Sequence, residues 1–89
     1  MIRRPITIIN KLGLHARATA KLVATASGFD SSVRISGKGR EVDAKNIMQV
    51  MMLAASQGTE VEIIAEGPDE EQAVEALADL INDYFGEGE

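Results

Sequence analysis

The sequence predicts an α+β fold: a four-stranded antiparallel sheet covered on one face by three helices, in the order βαββαβα. Three observations lead there. Residues 2–9, 32–36, 40–43 and 60–66 are rich in β-branched side chains or alternate apolar with polar. Three intervening stretches carry apolar residues at helical spacing. The 89 residues leave room for one core, so residues 1–89 are expected to form a single domain. One layer of helices on one sheet is then the economical way to bury all the apolar stripes.

The first strand spans residues 2–9, Ile-Arg-Arg-Pro-Ile-Thr-Ile-Ile. Pro5 has no N–H to donate, which places this strand at a sheet edge or its start there. Asn10-Lys11-Leu12-Gly13 is the exit loop. The first helix runs from about Ala16 to Ser27, with Ala18, Leu22, Val23 and Ala26 as its apolar stripe and Lys21 and Thr25 largely off it. Gly28 stops it, and Phe29 folds back onto the core. In the second strand, Ser32 to Ser36, Val33 and Ile35 point inward. Gly37-Lys38-Gly39 turns the chain into a short third strand, Arg40 to Asp43, paired with the second as a hairpin.

Asn46 followed by Gln49 has the form of a capping box for the second helix, Ile47 to Leu53 or a turn longer. This helix is apolar nearly all round. Val50 and Leu53 share one side and belong to the core. Ile47, Met48 and Met51 line another, either as an exposed docking surface or simply as more core. The fourth strand is Glu60 to Glu66, with Val61, Ile63 and Ala65 inward. After Gly67-Pro68, Asp69 caps the third helix, with Gln72 three residues on. Ala73, Val74, Leu77, Ala78, Ile81 and Tyr84 or Phe85 form its apolar face, and its acidic residues form a solvated side. The tail Gly86-Glu87-Gly88-Glu89 is expected to fray.

Composition excludes several classes of function. There is no cysteine, hence no disulfide framework and no thiol chemistry, and one histidine argues against a metal site. No metal and no cofactor are expected. No apolar run approaches a membrane span, and the N-terminus does not read as a signal peptide, so the cytoplasm is the expected compartment. The net charge of −5 is unevenly spread: residues 1–40 balance at +7 and residues 41–89 at −12. A basic half gathered near the histidine would attract an acidic or phosphorylated partner. Nucleic acid is disfavoured by the overall acidity and by the presence of only three aromatics.

That histidine, His15, lies in Gly13-Leu14-His15-Ala16-Arg17-Ala18-Thr19, between a glycine-bearing turn and a run of helix formers. It therefore stands at the mouth of a helix, where the backbone N–H groups of Ala16, Arg17 and Ala18 lack intrahelical partners and the dipole favours an anion. Arg17 adds a planar cationic fork suited to phosphate oxygens. A nitrogen nucleophile beside an anion site suggests a phosphoryl group carried on the imidazole. The plainer alternative is a surface or capping histidine beside a solvated arginine.

Together these stretches resemble the HPr-type phosphocarriers of the bacterial phosphoenolpyruvate-dependent phosphotransferase system. Asn10 to Arg17 is similar to that family's active-site segment. Lys45-Asn46-Ile47-Met48 through Leu53, with Gln57-Gly58-Thr59, is similar to its second signature, and Gly67-Pro68-Asp69-Glu70-Glu71 to the start of its last helix. The resemblance covers nearly the whole chain. It implies the HPr-like open-faced β-sandwich. It implies a monomeric carrier, itself not an enzyme, that accepts a phosphoryl group on Nδ1 of His15 from a phosphorylated enzyme I and passes it to an EIIA-type domain. Arg17 would assist the transfer, and Ile47, Met48, Met51 and Lys21 would belong to the docking face.

Two residues depart from the pattern. Ala18 stands where many members have proline, which would stiffen the first helical turn. Asn46 stands where many have a regulatory serine, and it has no hydroxyl to phosphorylate. Both departures, with the methionine-rich second helix, fit a nitrogen-related, regulatory branch as an alternative to sugar uptake. Two other classes stay open on the residues alone: a small-ligand regulatory domain of ferredoxin-like type, and a purely structural docking module built on the second helix.

Overall fold

The computed structural model describes residues 1–87 and has the element order β1 (Ile2–Thr7), α1 (Ala16–Ser27), β2 (Ser32–Gly37), β3 (Arg40–Asp43), α2 (Ile47–Leu53), β4 (Glu60–Glu66) and α3 (Glu70–Asn82), closed by a 3-10 turn at Tyr84–Gly86. The sheet is antiparallel throughout, in the order β1-β4-β2-β3. β1 is an edge strand, as Pro5 requires. It stops at Thr7, two residues short of the expected Ile9. Ile8 leaves the ladder to bond the turn that precedes β4, its N–H donating to Thr59 and its carbonyl accepting from Gly58.

Register decides which residues face the helices. Ile2 pairs with Ala65, Arg4 with Ile63 and Ile6 with Val61; across the sheet Ile35 meets both Ile63 and Val42. These side chains form the helix-facing layer. With Ala18, Leu22 and Ala26 of α1, Val50 and Leu53 of α2, and Val74, Leu77 and Ile81 of α3, they build one core. At the margin of this face the guanidinium of Arg4 pairs with Glu75 of α3 at 2.7 Å. The opposite face carries Arg3–Glu62 and Arg34–Glu41 ion pairs, each at 2.8 Å. Ile64 lies on this open face yet is only 5% exposed. Its cross-strand neighbours are Arg3 and Arg34, whose aliphatic stems cover it.

The helix ends show how local chemistry was used. Asn46 caps α2 as expected, its Oδ1 accepting from the Gln49 N–H at 3.0 Å. The return half of the box is not made: the Gln49 amide oxygen accepts from Asp43 N–H instead. Asp69 does not cap α3 with its side chain. Its carboxylate accepts from the N–H groups of Asp30 and Ser31, both at 2.9 Å, and from the Ser31 hydroxyl, tying the α1–β2 loop to the start of α3. Glu70 covers the turn before α3 by accepting from Gly67 N–H. Of the tail expected to fray, Gly88 and Glu89 lie outside the described residues, whereas Gly86 and Glu87 are held in place. No described helix is long and apolar enough to cross a membrane.

Candidate functional site

The loop from Asn10 to Leu14 is built from the inside out. Gly13 has φ +63°, and a β-carbon there would lie 2.6 Å from the Ala55 carbonyl oxygen, so only glycine fits. Its neighbour Leu14 donates its N–H to that same oxygen at 2.9 Å and is buried. Asn10, fully buried, donates from Nδ2 to the Gly13 carbonyl at 2.8 Å and to Glu87 Oε1 at 3.1 Å, while its Oδ1 has no partner among the described residues. The Thr19 hydroxyl donates to the Leu14 carbonyl. This hub fixes where His15 emerges.

His15 is the N-cap of α1, with extended backbone angles and no side-chain capping bond, which leaves its ring free for other work. Its carbonyl accepts from Thr19 N–H, closing the first helical turn. Among the described residues nothing accepts from the N–H groups of Ala16, Arg17 or Ala18. They form the open donor cluster that the helix start implied.

The imidazole Nε2 lies 2.5 Å from Oε2 of Glu87. A carboxylate only accepts, so this contact calls for the neutral tautomer protonated on Nε2, in which Nδ1 holds the free lone pair. The histidine side chain is 27% exposed and the glutamate side chain 15%. Beside this pair opens a pocket of about 290 Å3 lined by Lys11, Leu12, Arg17, Lys21, Gly86 and Glu87. Three cations thus share one cup. Lys21 also anchors the tail, its Nζ donating to the Phe85 carbonyl at 2.5 Å. The site can hold an anion in a basic, donor-rich hollow next to an oriented ring nitrogen.

The tail reaches His15 by an unusual route. Tyr84, Phe85 and Gly86 have φ of 57°, 54° and 75°, three successive left-handed residues. Two of them carry bulky side chains, at a cost of about 1–2 kcal/mol each. Complete burial of Phe85 offsets this.

The chain matches the family described as "PTS HPr component phosphorylation site" over residues 2–83. It belongs to the HPr phosphocarrier family. It is 58% identical to the phosphocarrier protein HPr of Cupriavidus necator, with all of both chains covered, and 54% identical to that of Neisseria meningitidis serogroup A, again over the full length of both. The crystal structure of an HPr from Thermoanaerobacter tengcongensis superposes with a TM-score of 0.95 at 49% identity, covering 98% of each chain. As a member of this family the chain is a phosphocarrier of the phosphotransferase system, a carrier and not a turnover enzyme, and it has the family's fold.

In this chain, the residues expected to act sort into two groups. Arg17 and Lys21 line the cup, His15 touches its wall through Glu87, and the open N–H groups of Ala16 to Ala18 follow His15 at the head of α1. Ile47, Met48 and Met51 lie on α2, which packs against α1, and are 46%, 70% and 43% exposed. These three side chains are therefore not part of the core. Sequence reasoning missed three neighbours: Leu12, 67% exposed at the cup; Met52, 60% exposed on α2; and Glu87. For Leu12 and Met52 the signal was apolarity next to the two motifs. For Glu87 there was none, because a Gly-Glu-Gly-Glu tail reads as solvated chain.

Proposed function

We propose that His15 is the phosphoryl acceptor of this carrier and that Nδ1 is the attacking atom. The observation that carries this is the Glu87–Nε2 contact at the head of α1. It holds the proton on Nε2 and so leaves Nδ1 as the nucleophile beside open N–H donors. As the bond from phosphorus to the donor breaks, the Nδ1–P bond forms, and the ring gains positive character that the Glu87 carboxylate offsets. Arg17 and the N–H groups of Ala16, Arg17 and Ala18 neutralise the equatorial oxygens. Phosphoryl transfer asks for positioning and charge neutralisation rather than covalent help, and these groups supply both.

The donor is a phosphorylated enzyme I and the acceptor an EIIA-type protein. Both dock on the start of α1 with Lys21 and on Ile47, Met48 and Met51 of α2, a flexible apolar surface that serves successive partners. Asn46, committed to capping α2, offers no hydroxyl for regulatory phosphorylation. The carrier acts as a cytoplasmic monomer that shuttles by diffusion. The nitrogen-branch alternative rests on Ala18, Asn46 and the methionine-rich α2, and the relatives above carry the HPr name.

The test is intact mass after incubation with phosphoenolpyruvate and a sugar-branch or a nitrogen-branch enzyme I, separately, with His15→Ala as control. The expected result is an acid-labile gain of one phosphoryl group that is absent in the variant, with the faster donor naming the branch. A folded protein that gains nothing from either donor, or a His15→Ala chain that gains as much as wild type, overturns the assignment.

A further inference from the structure

Three of the four methionines lie within five residues on α2, and all three are exposed: Met48 by 70%, Met51 by 43% and Met52 by 60%. The core does not need them, since Val50 and Leu53 seat the helix. Met52 also lines an open pocket of about 390 Å3 with Arg40, Glu41, Val42 and Gln49, so small solutes reach its sulfur. The neighbouring Ile47 shows that an apolar surface here does not require sulfur. What sulfur adds is a second chemical state. A thioether is apolar and pliable, whereas its sulfoxide is polar and chiral.

We propose that Met48, Met51 and Met52 form an oxidation site at which conversion to methionine sulfoxide turns off partner docking while leaving the phosphoryl site intact. This rests on the reading of α2 as the docking surface. With hydrogen peroxide as oxidant, a sulfur lone pair attacks one peroxide oxygen, the O–O bond breaks, and an S–O bond forms. Water leaves after proton transfer. Sulfur loses two electrons and the peroxide gains them. A dithiol-driven sulfoxide reductase reverses the change. His15 and its partners Glu87 and Arg17 lie on other elements and keep their geometry. The oxidised carrier should therefore bind a donor poorly yet react normally once bound, a rise in KM without a matching fall in kcat.

The experiment treats the full chain with hydrogen peroxide and counts sulfoxides by peptide mass. It then measures phosphorylation by phosphorylated enzyme I against carrier concentration. The expected outcome is a KM raised about tenfold or more in the triply oxidised carrier, kcat within about twofold, and recovery after treatment with the two sulfoxide reductases, one for each sulfoxide epimer, and a dithiol. A Met48→Leu, Met51→Leu, Met52→Leu chain receives the same treatment. Whatever its own starting rate, its KM before and after peroxide should agree, and because Met1 oxidises in both chains this comparison isolates α2. An unchanged KM after triple oxidation, an equal loss in the leucine chain, or a circular-dichroism spectrum altered by oxidation would each overturn the proposal. If the reduced wild-type chain accepts no phosphoryl group at all, the carrier assignment at His15 fails first and this inference with it.

Discussion

Glu87 shows how much can rest on one carboxylate. It holds Nε2 of His15 from one oxygen and the buried amide of Asn10 from the other. It thereby couples the His15 ring to the loop hub that also fixes Gly13. A charge-assisted bond of this kind is roughly twice as strong as a neutral one. Glu87→Gln keeps the size but offers one accepting oxygen to two donors, and it removes the charge that would steady the ring as phosphorus bonds to the proposed acceptor Nδ1. Its phosphorylation rate should fall about three- to tenfold, in rapid-quench assays, with stability lowered by about 1–3 kcal/mol. Nitrogen NMR of the imidazole supplies the readout that a merely structural role would not move: the Nε2–H tautomer should dominate in wild type and lose part of its dominance in the variant. An unchanged tautomer ratio and an unchanged rate would together remove Glu87 from the site.

At the scale of elements, the helices and strands were legible wherever a pattern and a boundary residue agreed. Asn46 before an apolar run and Gly28 after one mark real ends of α2 and α1. Legibility failed where a side chain had a better distant partner than its local one. Asp69 is placed to cap α3, but three donors of the α1–β2 loop take its carboxylate. Residues 84–86 failed for a different reason: a left-handed turn at Tyr84 and Phe85 has no local signal, because it is imposed by the burial of Phe85 and by Lys21 bonding its carbonyl. The end of α2 is a milder case of the same kind. Ala54 closes the helix at φ 53° and donates its N–H to Met51 O, a left-handed cap filled by a residue with a β-carbon. Ala54→Gly should relieve that conformation and raise stability by about 0.5–1 kcal/mol in urea denaturation, with the transfer rate unaltered. A destabilised Gly variant would mean that the β-carbon of Ala54 contributes packing that outweighs its strain.

Across the whole molecule, charge is the property that the linear order most misrepresents. The N-terminal 40 residues suggested a basic mass around His15, but folding disperses most of it. Arg3, Arg4 and Arg34 pair with Glu62, Glu75 and Glu41, while Lys38 and Arg40 reach the carbonyls at the end of α2. Lys11, Arg17 and Lys21 alone line the cup. The acidic half is likewise put to structural use. Hydrogen bonding to Ser31 holds the Asp69 carboxyl below its ordinary range, and the Gly67 N–H, aided by the N-terminal ammonium, does the same for Glu70. Below about pH 4 the unfolded chain protonates these groups while the fold resists it, so their contribution is complete above that pH and is lost as acid approaches the lowered values. Asp69→Asn should unfold more readily near neutral pH and show a shallower loss of stability between about pH 4 and pH 2.

Charge distribution also fixes how the carrier meets its partners. With a net charge of −5, long-range attraction to an acidic donor depends on the three cations at the cup, not on the chain as a whole. Exposed charges are screened beyond about 8 Å at physiological ionic strength, so association should slow several-fold as salt is raised from low to physiological. Lys11→Gln should flatten that salt dependence, because it removes a cation facing the approaching partner. Arg34→Gln should leave it in place, because Arg34 sits on the open face of the sheet and is already neutralised by Glu41. Stopped-flow rates for the two variants across a salt series decide the matter. Equal slopes would mean that the field of the whole molecule steers encounter, and a slope lost only with Lys11 would locate the steering at the mouth of α1, beside the nitrogen proposed to react.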